Sequence, residues 1–226
     1  MSFLNSAGLF DAIPDTAIPD QQNLALHIDA SQESLNDNDT TTTITDFSGN
    51  NNGFSGDSVI FKTNVINGQP AFEFDEDTLT NSQSLSDPFV IALVFEQTAD
   101  NSESRLFGSN SLSSDLRVNY DTGEFRTSVE NKFLNSTIEH SYSAPTNVFQ
   151  TFVFEVDASN STIRLDGSQV QSGTLSSGSI TGLELGTVAG RTGRGLIGNV
   201  SELAIYDTTT NITDLENYLS DKYATF

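Results

Sequence analysis

Glu73-Phe74-Asp75-Glu76-Asp77 opens onto the densest acidic run of the chain. In an extended strand successive side chains alternate, so Glu73, Asp75 and Asp77 would share one side if the strand ran that far. Carboxylates paired in this way can serve as acid and nucleophile in glycoside hydrolysis. Asp75, Glu76 and Asp77 also present the hard oxygen ligands that calcium takes, without the spacing of an EF-hand loop. Ca2+ is thus a candidate cofactor, with these three as its ligands. The favoured reading of such a run is a solvated acidic surface.

A second set of side chains suits sugar recognition. Tyr120 and Tyr142 could supply an aromatic platform, with Asn119 or Asn147 as the neighbouring amide. Ala189-Gly190-Arg191-Thr192-Gly193-Arg194-Gly195 is glycine-rich and basic. It lacks the lysine–serine pair of a phosphate loop and does not follow a strand-to-helix order. It reads as a flexible turn whose arginines balance charge, although Arg191 and Arg194 could also recognise a carboxylate. His27 and His140 are the two histidines, and neither has a second histidine at ligand spacing, so a histidine zinc site is not expected. With no cysteine there is no thiol nucleophile, disulfide scaffold or iron–sulfur centre. No catalytic residue is assigned.

These candidates sit on an unusually acidic chain. It has 226 residues, 31 acidic against 9 basic, for a formal net charge of -22. Such a charge repels nucleic acid and anionic lipid, and neither is an expected partner. Scarce lysine with abundant aspartate and threonine fits a protein of strong salt, where self-repulsion is screened within about 3 Å at molar ionic strength. The opening MSFLNSAGLFDAIPD has no basic region followed by a long apolar run, so it does not read as a signal peptide. No stretch approaches the roughly 20 apolar residues needed to span a bilayer.

The elements that must hold the candidates are mostly strands. Residues 1–22 read as an arm. Ile13-Pro14-Asp15 recurs as Ile18-Pro19-Asp20, and the prolines disfavour a helix through it. Phe3, Leu4, Leu9 and Phe10 would pack on their own domain or on a neighbouring subunit. Residues 23–226 read as one domain. Asn23 to Asp29 alternates as a first strand, and residues 31 to 58 look like a polar loop. Val59 to Phe61, Ala71 to Phe74, Ser104 to Gly108 and Thr137 to Tyr142 are strand candidates. Phe89 to Glu96 is continuously apolar, as a central buried strand should be. Hairpins are expected about Asp121-Thr122-Gly123 and about Asp166-Gly167. Phe149 to Asp157, Leu183 to Leu185 and Asn199 to Tyr206 follow. Thr213-Asp214-Leu215-Glu216 has the form of a capping box, and Leu215, Tyr218, Leu219 and Tyr223 recur at helical spacing. Many short strands with glycine and asparagine turns and one late helix predict an all-β antiparallel sandwich whose interior holds the phenylalanines.

Five pieces, in order, carry a resemblance. They are Leu24 to Ala30, Asp46-Phe47-Ser48-Gly49-Asn50, Gly68-Gln69-Pro70-Ala71-Phe72-Glu73-Phe74-Asp75, Thr162 to Gly167, and Gly195 to Asp207 continuing into Leu215 to Tyr223. Together they resemble the concanavalin A-like lectin/glucanase superfamily, and within it the laminin G-like modules. Phe47 departs from the pattern, since relatives usually carry tryptophan there. The resemblance implies a concanavalin A-like jelly-roll sandwich with a short C-terminal helix. It also implies lectin, adhesion or glucanase activity without choosing among them. Glucanases of the superfamily carry E-x-D-x-x-E or E-x-D-x-E, and Glu73-Phe74-Asp75-Glu76-Asp77 lacks the final glutamate in register.

The sequence thus predicts a non-enzymatic structural or adhesion protein. The fold is usually displayed outside cells, while the chain shows no signal peptide or anchor. Display on a virion surface, capsid or tail, of a halophile's virus reconciles the two. The partners would be further copies or other virion proteins through the arm, and a host surface glycan. The alternatives are a carbohydrate-binding lectin-like module, calcium-dependent or not, and a glycoside hydrolase.

Overall fold

The structure is a computed structural model that describes residues 17–99, 104–109, 115–121, 126–133, 136–141, 145–187 and 193–226. Among the described residues fifteen strands precede one α-helix. They are β1 (Leu24–Asp29), β2 (Thr40–Ile44), β3 (Phe54–Ile66), β4 (Gln69–Asp75), β5 (Leu79–Ser86), β6 (Phe89–Gln97), β7 (Ser104–Ser109) and β8 (Asp115–Asp121). There follow β9 (Arg126–Phe133), β10 (Ser136–Ser141), β11 (Phe149–Val156), β12 (Ser161–Leu165), β13 (Ser168–Gly173), β14 (Ser179–Leu185), β15 (Ile197–Tyr206) and the helix α1 (Ile212–Tyr223).

The strands form one curled antiparallel sheet in the order β10-β9-β8-β7-β14-β5-β3-β4-β15-β6-β11-β12-β13, with β1 beside β15 and β2 beside β3. The sheet folds over at β3. The start of that strand pairs with β5 through Ser55 and Gly56, and its later part pairs with β4 from Ile60 to Ile66. The two layers so formed enclose a core rich in rings. Phe54, Phe61, Phe72, Phe74, Phe89, Phe95, Phe107, Phe133, Phe152 and Phe154 all belong to it. Phe95 and Phe152 meet edge to face at 4.9 Å, and Phe89 meets Phe133 at 5.3 Å, the tilted geometry that aromatic quadrupoles favour. The all-β sandwich read from the sequence is thus the architecture found.

A second, smaller core lies outside the sandwich. Leu215, Tyr218, Leu219 and Tyr223 of α1 pack on Val90, Ala92, Val94, Val153, Ala204 and Tyr206 of the sheet face. Each such side chain contributes about 1.5–3 kcal/mol on full burial. Ile18 joins this core, and the Tyr206 hydroxyl donates to the Pro19 carbonyl at 2.9 Å. Among the described residues no helix is long and apolar enough to cross a membrane.

Several local expectations are corrected. The cap of α1 is Asn211, whose side chain accepts from the Thr213 and Asp214 amides at 3.1 and 3.4 Å. Thr213 lies inside the helix, and Glu216 turns instead to Arg164, taking Nε at 2.7 Å and Nη2 at 2.8 Å. The region read as a polar loop contains β2 and the start of β3. The threonines of β2 are half-buried or exposed, because its outer side meets water. The strand β5 also went unread, since its apolar residues are confined to Leu79 and Leu85. Finally, β4 stops at Asp75, and Glu76 takes a left-handed backbone at φ 65°, so the one-sided row of carboxylates does not reach Asp77.

Candidate functional site

Asp75 lies opposite Ile197 and Gln97 opposite Gly198, which brings the ends of β4 and β6 together at the start of β15, while Ser104 lies opposite Val118 of β8. The Asp75–Asp77 corner is bound to the glycine-rich segment. Glu76 Oε2 accepts from the Gly193 amide at 2.8 Å, its own amide donates to Leu196, and its carbonyl accepts from Thr187 Oγ1 at 2.9 Å. Asp77 Oδ2 accepts from the Asp75 amide at 2.9 Å. Asn119 and Tyr120 sit in β8 opposite Ser128 and Thr127. Asn147 is exposed with φ 58°, and its amide donates to the Gln97 carbonyl at 2.8 Å. The Arg194 carbonyl accepts from the Arg105 amide at 2.9 Å. Tyr142 and Arg191 lie outside the described residues.

The strongest concentration of chemistry lies elsewhere, beneath α1. Glu202 stands in the middle of the apolar strand β15 and is 1% exposed. Its carboxylate accepts four donors. Oε1 takes the Tyr218 hydroxyl at 2.9 Å and faces His27 Nε2 at 2.8 Å; Oε2 takes Lys222 Nζ at 2.7 Å and the Tyr223 hydroxyl at 2.8 Å. Asp29, at the end of β1, takes Lys222 from the other side at 2.7 Å. Asp29 also accepts from the Ser31 amide and hydroxyl and from Gln32 Nε2.

Burial alone would raise the Asp29 carboxyl, but the Lys222 charge and these hydrogen bonds outweigh it and hold the carboxyl below its ordinary value. Lys222 shows the mirror case. Burial works to lower it, and the Glu202 and Asp29 charges lift it above its ordinary value. Burial and the Glu202 charge push both phenols, Tyr218 and Tyr223, far up, so each remains a donor.

His27, Asp29 and Glu202 bring ligand atoms within 4.8 Å of one another, the kind of grouping that can hold a metal ion. Here the Lys222 ammonium already lies 2.7 Å from both carboxylates. It supplies the positive charge that a metal would bring, and the cluster is a built-in ion pair at the junction of β1, β15 and α1. Sequence reasoning placed these residues in strand and helix and missed the cluster. The available signal was a charge within an apolar run, as at Glu202 in VSELAIY, since a buried charge needs a partner.

Two concavities flank these features. One, of about 520 Å3, lies over the cluster, with Ile18, Gln21, His27, Phe47, Gln69 and Lys222 among its walls. Its lower rim is the Asp46 turn. Asp46 accepts the His27 and Ser48 amides at 2.9 Å and the Asn52 amide at 2.8 Å, which fixes that turn along the free edge of β1.

The other concavity, a groove of about 720 Å3, runs over β3, β5 and β14. Ser55 is paired with Thr80, and Thr80 with Glu184, so a hydroxyl, a second hydroxyl and a carboxylate form one row across three strands. Asn51, Asn52, Asn81, Ser82 and Thr181 complete the lining. Asn81 is held in place by donating to the Asn52 carbonyl at 2.9 Å and accepting from the Gln83 amide at 2.9 Å.

No protein-family model and no curated protein matches the chain. Solved structures do. Domain 4 of AbnA, a GH43 extracellular arabinanase from Geobacillus stearothermophilus solved in complex with arabinotriose, aligns with a TM-score of 0.64 at 15% identity, over 86% of this chain and 97% of that one. The botulinum neurotoxin serotype D/C VPI 5993 binding domain aligns at 0.61 and 13% identity, over 88% of this chain and 53% of that one. A botulinum neurotoxin type C structure, whose cell entry is described as dependent upon interaction with two ganglioside molecules, gives 0.61 and 15%, over 88% and 52%. The chain spans about half the length of these neurotoxin chains. At such identities the likeness is one of fold.

Proposed function

We propose that the chain is a non-catalytic, lectin-like glycan-binding module of laminin G-like type, with the groove over β3, β5 and β14 as its glycan site. The observation that carries this reading is the groove's lining. Amides and hydroxyls on three adjacent strands, with one carboxylate, match the alternating donors and acceptors of a sugar's hydroxyls. The fold shared with an arabinotriose-bound domain and with a toxin described as ganglioside-dependent supports it. The strand ending at Asp75 favours binding over hydrolysis, because the row of carboxylates stops there. The setting we propose is the outer surface of a halophile's virus, with the arm of residues 1–22, anchored on the domain at Ile18 and Pro19, contacting further copies or other virion proteins. The net charge of -22 supports that setting.

Calorimetry against an oligosaccharide panel in high salt tests the proposal. Binding is expected, and the exposed Thr181→Trp, which fills the groove, weakens it about tenfold or more. Binding that is indifferent to this variant removes the groove from consideration. Loss of binding on chelation would add calcium at Asp75, Glu76 and Asp77. Hydrolysis abolished by Glu73→Gln would instead establish the glycosidase reading.

A further inference from the structure

We infer that the 520 Å3 cavity between β1, the Asp46 turn and α1 is a second binding site, and that it takes one neutral sugar ring or a comparable neutral polyol. The inference rests on which polar groups of the cavity are spent and which are left. Lys222 Nζ is engaged by Asp29, Glu202 and the Tyr218 hydroxyl, at 2.7, 2.7 and 3.2 Å. Three contacts exhaust the protons of an ammonium. Both oxygens of Asp29 have donors, and so do both of Glu202. The charged groups of the floor are therefore closed upon one another. An anion entering the cavity finds no free cation, and a cation finds no free carboxylate. An ion stripped of water without a partner is strongly disfavoured, so the site selects against charge.

One group is left over. His27 is 3% exposed and lines the cavity. Its Nε2 faces Glu202 at 2.8 Å; because an ionised carboxylate only accepts, the neutral ring carries its proton on Nε2 and has Nδ1 as a lone-pair acceptor. No described residue bonds that Nδ1, and His27 is part of the cavity wall. An acceptor at the wall of an open cavity is met by water until a ligand group displaces it. A ligand hydroxyl would satisfy it. The walls suit the rest of such a ligand: Phe47 offers a ring for the apolar face of a sugar, and the Gln21 and Gln69 amides offer both donors and acceptors. The volume lies in the range of small-molecule sites. The cavity belongs to the β1–β15–α1 side of the molecule and the groove to the layer holding β5 and β14, so this inference does not rest on the glycan reading of the groove.

The chain has two histidines, which makes a direct test practical. Long-range 1H–15N spectra of the 15N-labelled full chain separate Nδ1 and Nε2 of His27 from those of His140. Titration with D-galactose, L-arabinose or glycerol is expected to move the His27 Nδ1 signal and leave His140 in place. D-Galacturonate and D-glucosamine, as charged counterparts, should bind at least about tenfold more weakly. Ala17→Trp, at the exposed rim, should abolish the His27 response, whereas Thr181→Trp in the groove should leave it intact. The inference is overturned if no neutral probe moves His27, if a charged counterpart binds as tightly as its neutral partner, or if Ala17→Trp has no effect. Failure of oligosaccharide binding with an intact His27 response would discard the groove and keep the cavity.

Discussion

Glu202 is the residue on which the buried polar contacts between β1, β15 and α1 converge. Its four donors come from β1 and from three positions of α1, so one carboxylate orients two elements at once. Glu202→Gln keeps the shape and removes one of the two carboxylate charges that compensate Lys222. Loss of one partner of a buried pair costs about 3–5 kcal/mol, and urea unfolding should show that loss without a change of fold. The same cluster sets a pH window. Asp29 titrates below its ordinary 3.8 in the folded chain, so its contribution is present above that value and is lost as pH falls through the depressed folded value. Lys222 titrates above its ordinary 10.5, so its contribution is present below that value and is lost as pH rises through the raised folded one. Stability measured against pH should therefore lose this contribution only in strong acid and strong base. Lys222→Met should flatten the alkaline limb, and an unchanged limb would remove Lys222 from the account.

At the scale of elements, α1 is held by a cap, an apolar face and an ion pair to β12. Asn211→Ala removes the cap and should cost about 1 kcal/mol in the same unfolding experiment. Truncation after Tyr206 removes the helix and exposes Val90, Ala92 and Val94, and should abolish cooperative unfolding of the whole domain. The Asp166-Gly167 hairpin is equally constrained. Both residues have positive φ, 45° and 74°, and a Cβ on Gly167 would lie 2.7 Å from the Phe226 ring. Elements such as β6, β15 and α1 could be read from sequence because their apolar pattern matches their own period. The strands β2 and β5 could not, since what makes them strands is the partner on each side rather than their own polar residues. The cavity was illegible for a related reason. Residues 27–29, 47–48 and 218–222 meet only once the sheet has closed, and no local spacing announces them.

For the whole molecule, a net charge of -22 must be tolerated by a single closed sandwich. Self-repulsion at about 10 Å is little screened in 0.1 M salt and strongly screened at molar salt. The unfolding midpoint should therefore rise with sodium chloride well beyond the rise given by an osmotically matched sucrose control. Equal shifts would show that the acidic surface does not limit stability. The pairing of the first strand with the last has a consequence for how the protein is made. His27 and Glu202 are 175 residues apart, and among the described residues β1 pairs with β15 alone. At about 5–20 residues per second, β1 leaves the ribosome roughly ten to thirty-five seconds before its partner exists. Lys222, which bridges Asp29 of β1 and Glu202 of β15, follows later still. The nascent chain cannot pair this edge until β15 has emerged, however much of the sandwich has formed before it.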